Sequence, residues 1–342
     1  MYTYKKIYRK WPNTVGCEQL ILTRQQIIVH ITMLQTYHLS YTSHNEVMFR
    51  NPKDMDTAFN CLCSALSRTQ SRCLAECFMS DHHHGCYQTP DPGSLIRLLR
   101  MSYCKYFNNR YQRDGWLGER GFFQLELKGL RHELAAISYT LKNAVHHGVS
   151  ITPFAYPYCS ANVYFMEALG KTSPSALLSM SEIRSALPRR AQFDANWQMG
   201  RNGAFLKETV IEKSLVENLY ATPQAFMYQL FRRSGEDWVR EQELDGPGMK
   251  PITLELIEAS ILRQTSSPEK MVAEMLRNEK NRYTTQLLSD LEVCDIIDNK
   301  HVPQYGKASV YHLSASEKNA VANELYQVYK ARPRQIKRCL VF

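Results

Sequence analysis

Residues 77–89 read Cys-Phe-Met-Ser-Asp-His-His-His-Gly-Cys-Tyr-Gln-Thr, and their centre is His82-His83-His84. Side chains alternate faces along an extended strand, so His82 and His84 point one way and His83 the other. Two imidazoles on one face can hold one divalent metal ion. A second stretch, Ile137-Ser138-Tyr139-Thr140-Leu141-Lys142-Asn143, supplies matching chemistry. On a helix Tyr139 and Asn143 are four apart and share a face. Asn143 offers an oxygen as a third metal ligand, and Tyr139 a nucleophile beside the ion. A His pair with a Tyr on a nearby helix is equipped to cut phosphodiester bonds. Taken alone, a three-His run reads as a solvated turn or incidental metal affinity, and a lone helical Tyr as a packing or surface residue. The residues around both segments decide between these readings.

Those residues resemble the HUH-type single-tyrosine transposases, among them the IS200-like and REP-associated tyrosine transposases. The family strand reads Met-Pro-Asn-His-x-His with x apolar; here it is Met79-Ser80-Asp81-His82-His83-His84. Lys105-Tyr106-Phe107-Asn108, Gly115-Trp116 and Gly121-Phe122-Phe123 follow in the family's order. The family's Tyr-x-x-x-Asn-Pro is met by Tyr139 to Asn143 and then Ala144, and its Tyr-Pro-Trp-Ser-Ser turn by Tyr156-Pro157-Tyr158-Cys159-Ser160. The likeness runs from about residue 36 to 165. Departures are His83 at an apolar position, Ser80-Asp81 for Pro-Asn, Ala144 for Pro, and His146-His147-Gly148 for Arg-Ala-Gly. None removes the ligands His82, His84 and Asn143 or the nucleophile Tyr139.

The chain has 342 residues, 44% of them hydrophobic, enough for two domains with real cores. No run of about 18 apolar residues occurs, so no membrane span is expected. The N-terminus, Met1-Tyr2-Thr3-Tyr4-Lys5-Lys6, lacks the apolar stretch of a signal peptide. With ten Cys and no Cys-x-x-Cys pair, the cysteines read as reduced thiols of a cytoplasmic protein. Cys86 shares the alternating face of His82 and His84; it is either a soft ligand or core packing. The net charge of +9, from 42 basic and 33 acidic residues, favours a polyanionic partner such as nucleic acid.

Along the chain, residues 1–33 form an N-terminal extension that mixes bases with aromatics (Tyr2, Tyr4, Lys5, Lys6, Tyr8, Arg9, Lys10, Trp11). It suits stacking on single-stranded nucleic acid, or a packed arm. Residues 36–42 alternate as a strand, 54–69 read as a helix, and 73–88 as the His strand. Ser94 is placed to cap a helix carrying Ile96, Leu99, Tyr103 and Phe107, closed by Asp114-Gly115. Arg97, Arg100 and Arg110 lie along it as a solvated face or as phosphate contacts. Residues 121–127 form a strand and 130–146 the Tyr139 helix, with Gly148 past its end. The order describes an α+β domain over 34–170, an antiparallel sheet with helices on one face. The resemblance implies a ferredoxin-like palm with the His pair on a central strand and the Tyr helix across it.

Residues 171–185 read as a linker and 186–310 as a mostly helical accessory region in which Glu208, Glu212 and Glu217 are helix surface. Over 311–342, Ser314-Ala315-Ser316-Glu317 is a capping box opening a helix with Val321, Leu325 and Val328 on one face. A break at Ala331-Arg332-Pro333 leads to Arg334-Gln335-Ile336-Lys337-Arg338, a helix-turn-helix-like tail. Its Lys330, Arg332, Arg334, Lys337 and Arg338 then face DNA, or else a solvated C-terminal helix.

A free Tyr has a pKa of about 10 and is a poor nucleophile at neutral pH. An ion on His82, His84 and Asn143 would draw charge from a phosphate and orient it for in-line attack. Imidazole and amide oxygen together suit Mn²⁺ and tolerate Mg²⁺. The resemblance implies cleavage of single-stranded DNA beside a hairpin, with a 5′-phosphotyrosine intermediate that allows rejoining, by a monomer or a homodimer. The alternatives are a domesticated hairpin-DNA-binding protein without cleavage, and a metal-dependent hydrolase using water. The second needs an acidic base near the His strand; Asp81, by strand alternation, points away with His83.

Overall fold

A computed structural model describes residues 34–43, 45–168, 170, 176–232, 240–242, 244, 251–253 and 288–342. The expected extension 1–33 lies outside the described residues. Strand β1 (Gln35–Thr42) leads to helix α1 (Pro52–Thr69). Asn51 caps α1 by accepting from Asp54 N, and Pro52 fills the first turn, where a missing N–H costs nothing. Strands β2 (Arg72–Phe78) and β3 (His82–Thr89) follow, then α2 (Pro92–Tyr111), β4 (Phe123–Glu126) and α3 (Leu130–His146). The sheet has the order β2-β3-β1-β4, and every neighbouring pair is antiparallel. This is the α+β ferredoxin-like order, with β3 a central strand as expected.

The expected strand over 73–88 is a hairpin of two strands. Backbone bonds from Ser43, Met48 and Phe49 take the carbonyls of Ser80 and Asp81, so residues 79–81 leave the ladder and form the turn. The next helix is capped by Asp91, whose carboxylate accepts from Ser94 N, and not by Ser94. It ends at Tyr111 with Gln112 in the left-handed region, before Asp114-Gly115.

Helices α1 and α2 pack together on one face of the sheet, with Leu39, Tyr41, His83 and Tyr87 beneath them. The ring of Tyr87 lies against Gly85 and fills the space that any Cβ there would need. Helix α3 crosses the other face over β2 and β3. The sheet is therefore covered on both faces, and the one-faced reading holds for α1 and α2 alone.

Of the expected linker 171–185, residues 171–175 lie outside the described residues. Met180–Ala186 form α4, capped by a Ser179–Glu182 box, with Ile183 buried in the main core. Helices α5 (Lys213–Tyr220) and α6 (Pro223–Phe231) follow. Near the C-terminus, α7 (Asp290–Ile296), α8 (Ala315–Gln327) and α9 (Pro333–Leu340) enclose a second core of Val293, Ile297, Val321, Leu325, Ile336 and Leu340. Ser314 caps α8 with Glu317 as expected, but Val328 falls past its end and is 65% exposed.

Gln35–Phe342 form one compact unit. The C-terminal helices are fastened to the palm by polar contacts. Fully buried Arg50 forms a two-bond pair with Asp298 at 2.7 and 2.8 Å and donates to the Cys339 carbonyl at 2.8 Å. Ser309 Oγ donates to the Tyr111 carbonyl and Tyr311 Oη to Glu46. Among the described residues no helix is long and apolar enough to cross a membrane.

Candidate functional site

Alternation along β3 sends His82, His84 and Cys86 toward α3. The neighbouring strand β1 adds His38 and Ser40 to the same face, since His38 pairs with Cys86 and Ser40 with His84. From above, one side of α3 lowers Tyr139, Thr140 and Asn143 onto these residues. Exposure is 3% for His82, 0% for His84, 1% for Tyr139 and 0% for Asn143, so all four sit at a closed sheet–helix interface.

His82 Nε2 lies 2.9 Å from Asn143 Oδ1. Asn143 Nδ2 points at Tyr139 Oη from 3.5 Å, the outer limit of a hydrogen bond. His84 turns Nδ1 to His38 Nε2 at 3.2 Å, while its Nε2 is buried with no hydrogen-bond partner. The Tyr139 ring stands edge-on to His84 and stacks on His146 with centroids 5.4 Å apart. His147 covers the His82 ring at 4.6 Å. The chain thus brings His82, His84, Tyr139 and Asn143 together.

Asp81 departs from expectation. It lies in the turn before β3, free of strand alternation, and its Oδ1 meets His82 Nδ1 at 2.7 Å. A carboxylate accepting from Nδ1 fixes the imidazole with Nε2 turned to Asn143 Oδ1; both partners are acceptors, so a proton or a metal ion has to lie between Nε2 and that oxygen. Burial alone would raise the Asp81 carboxyl; the hydrogen bond and charge of His82, then Arg338 and His147, outweigh it and hold the group well below its usual range.

Burial, followed by the charges of neighbouring imidazoles, pushes His84 well below its ordinary value, and burial takes His38 down to about 3. Both are neutral at physiological pH, the state in which imidazole ligates. His83 is equally depressed by burial and packs on Phe78 and Tyr41, so it is a core residue. Cys86 contacts Thr140, and burial raises its thiol to about 12, so without a metal it is protonated and packs in the core.

His82, His84 and Asn143 suit a divalent ion on two counts. One is the unpartnered buried Nε2 of His84. The other is the 2.9 Å His82–Asn143 separation, since two ligands side by side on an ion at about 2.1 Å stand about 3 Å apart. Among the described residues no group of three or more His, Cys, Asp and Glu is placed to hold a metal, and Asn143 is outside that set of residue types. A cavity of about 940 Å³, lined by Met55, Phe59, Tyr158, Phe205 and Lys207, includes none of the four site residues.

The basic residues divide. Arg97, Arg334 and Lys337 are exposed. Arg110 is exposed but paired with the buried Asp54 at 3.4 Å. Arg100 is 5% exposed; it donates to the carbonyls of Glu119, Arg120 and Gly121 and lies over Tyr41 and Trp116. Its guanidinium staples the loop before β4 and does not lie on a solvated face. Arg338 forms a fork with Asp290 at 2.6 and 2.8 Å and reaches Asp81 at 3.8 Å, turned to the palm and not outward.

Sequence reasoning does not reach His38, His146, His147 or the role of Asp81. His38 alone carries a signal: it falls on the alternation of 36–42 opposite Leu39 and Tyr41, on whichever face those apolar residues leave.

No protein-family model matches the chain, and no curated protein matches it. Among solved structures it is similar to a REP-associated tyrosine transposase bound to a REP hairpin, with 12% identity and a TM-score of 0.34, over 40% of this chain and 79% of that one. A likeness that slight marks a distant relationship at most.

Proposed function

We propose that the chain is a metal-dependent HUH-type endonuclease and transposase that cuts and rejoins single-stranded DNA through Tyr139. The observation that carries this reading is the meeting of His82 Nε2, Asn143 Oδ1 and Tyr139 Oη at one point, with the two faces of the Asn143 amide turned to ligand and nucleophile. A Mn²⁺ or Mg²⁺ ion held by His82, His84 and Asn143 would draw charge from the scissile phosphate. Tyr139 Oη then attacks phosphorus, the bond to the 3′ oxygen breaks, and the phenolic proton ends, through solvent, on the released 3′ hydroxyl. The 5′ phosphate stays on Tyr139, and a later 3′ hydroxyl reverses the step without ATP. Asn143 Nδ2 orients Oη in line. Because Tyr139 is 1% exposed, a bound strand must displace the imidazoles that cover the site, His146 over Tyr139 and His147 over His82.

Single-stranded DNA with a hairpin is the substrate that the +9 charge and the family resemblance favour. Exposed Arg97, Arg334 and Lys337 are the side chains of the expected set that can meet its phosphates.

The test is covalent trapping on denaturing gels, with labelled single-stranded hairpin DNA and Mn²⁺ or Mg²⁺. A metal-dependent adduct is expected in wild type and absent in Tyr139→Phe and His82→Ala. Cleavage that survives Tyr139→Phe overturns the reading in favour of a water-using hydrolase. Hairpin binding without any cleavage overturns it in favour of a domesticated binder.

A further inference from the structure

We propose that Arg338, from the last helix of the chain, is a positioning residue for His82, and that the C-terminal helices are thereby part of the site. The proposal rests on the reading of His82 as a ligand. A chain of contacts joins them. Arg338 Nε and Nη2 grip the two Asp290 oxygens at 2.6 and 2.8 Å, which fixes the direction of the guanidinium. Its remaining nitrogen, Nη1, stands 3.8 Å from Asp81 Oδ2. The other Asp81 oxygen holds His82 Nδ1 at 2.7 Å, and His82 Nε2 meets Asn143.

The turn that carries Asp81 is clamped by the same C-terminal unit. Ser80 Oγ donates to Asp290 Oδ2 at 2.7 Å, and Gln335 Nε2 donates to Asp290 Oδ1 at 3.0 Å. Asp290 therefore gathers the turn, α9 and Arg338 on one carboxylate. Arg338 sits on a helix whose Ile336, Cys339 and Leu340 are buried in the second core, so its reach is set by packing. A single rotamer of Asp81 satisfies both Arg338 and His82, and that rotamer keeps a hydrogen on His82 Nδ1. The tail that reads in sequence as a DNA reader is, at Arg338, a support for the palm.

The experiment uses the full chain in two measurements. Long-range ¹H–¹⁵N correlation of the imidazoles in metal-free protein reports the His82 tautomer. Titration with Mn²⁺ alone reports affinity. Wild type is expected to show a single His82 species in which Nδ1 carries a hydrogen. Arg338→Gln and Asp81→Ala are expected to show mixed tautomers and an affinity lower by about tenfold or more. Should Arg338→Gln not fold, Arg338→Lys replaces it: one ammonium cannot keep the fork on Asp290 and also reach Asp81, so the same drop is expected. Leu325→Ala, which loosens the second core away from Asp81, is expected to keep the wild-type tautomer. A wild-type tautomer and affinity in a folded Arg338 variant overturns the proposal. So does an equal drop in Leu325→Ala, which would mean that docking alone matters. A tautomer change in the Arg338 variants of a protein that binds no Mn²⁺ upholds the positioning role and rejects only the metal.

Discussion

Asp81 Oδ1 stands 2.7 Å from His82 Nδ1, although consecutive residues of a strand would face opposite ways. The contact exists because β3 begins at His82 and Asp81 belongs to the turn. It fixes which nitrogen of His82 is offered to the site, and it joins the palm to the C-terminal helices through Arg338.

A ligand that binds only the folded chain raises its stability, by about 2.7 kcal/mol at a hundredfold excess over Kd. Mn²⁺ should therefore raise the melting temperature of wild type in a saturable way, with a chelator reversing it. His84→Ala, which removes the buried unpartnered Nε2, should melt at a temperature independent of Mn²⁺. Differential scanning fluorimetry with and without Mn²⁺ decides it.

The basic residues should separate by salt dependence. Removing one cation that neutralises a DNA phosphate lowers the slope of log affinity against log salt by about 1. Lys337→Ala and Arg334→Ala should weaken hairpin binding and flatten that slope. Arg100→Ala should leave the slope unchanged and destabilise the fold by about 1–3 kcal/mol, because the loop carbonyls it satisfies are left without their donor. Fluorescence anisotropy across a salt series, beside urea denaturation, separates the two effects.

Arg50 is the buried fastening between palm and C-terminal unit. Arg50→Ala would leave Asp298 and the Cys339 carbonyl without their partner, at a cost of about 3–5 kcal/mol. Limited proteolysis should then cut first within 288–342 while the palm survives. Uniform digestion of both parts would contradict this.

Acid should weaken the fold partly through His146. Burial first, then the charges of Lys142 and His147, lowers its pKa from 6.5 to about 3. A depressed folded value means that the unfolded chain takes up a proton the folded chain refuses. Stability is thus complete above pH 6.5 and falls as pH drops toward 3, by about 1–2 kcal/mol between pH 6.5 and 5. In metal-free protein, His146→Phe should show a shallower decline over that window in urea melts. An unchanged acid slope would remove His146 from the account.

Much of the candidate site is legible in the sequence because its rules are local. Alternation places His82 with His84 and sets His83 apart, and helical spacing places Tyr139 with Asn143. The Ser314 cap of α8 follows from side chains three residues apart, and the end of α3 from Gly148 in the left-handed region. The single strand expected over 73–88 fails for the opposite reason. Its interruption comes from Ser43, Met48 and Phe49, whose N–H groups claim carbonyls at 80 and 81. Arg100 and Arg338 read as surface because a cation in a helix is usually solvated; whether carbonyls or a carboxylate surround it is decided elsewhere in the chain.

The sequence by itself determined the pair of imidazoles on one strand face, the Tyr and Asn on one helix face, and the order of elements that makes an antiparallel sheet. These depend on periods of two and of about 3.6 residues, which any local stretch displays. Only the tertiary structure decided that the two faces meet, that His38 joins from the neighbouring strand, and that Asp81 turns to His82 under Arg338. Such contacts join residues far apart in the chain, and they are set by the packing of two cores against each other, which no local period records.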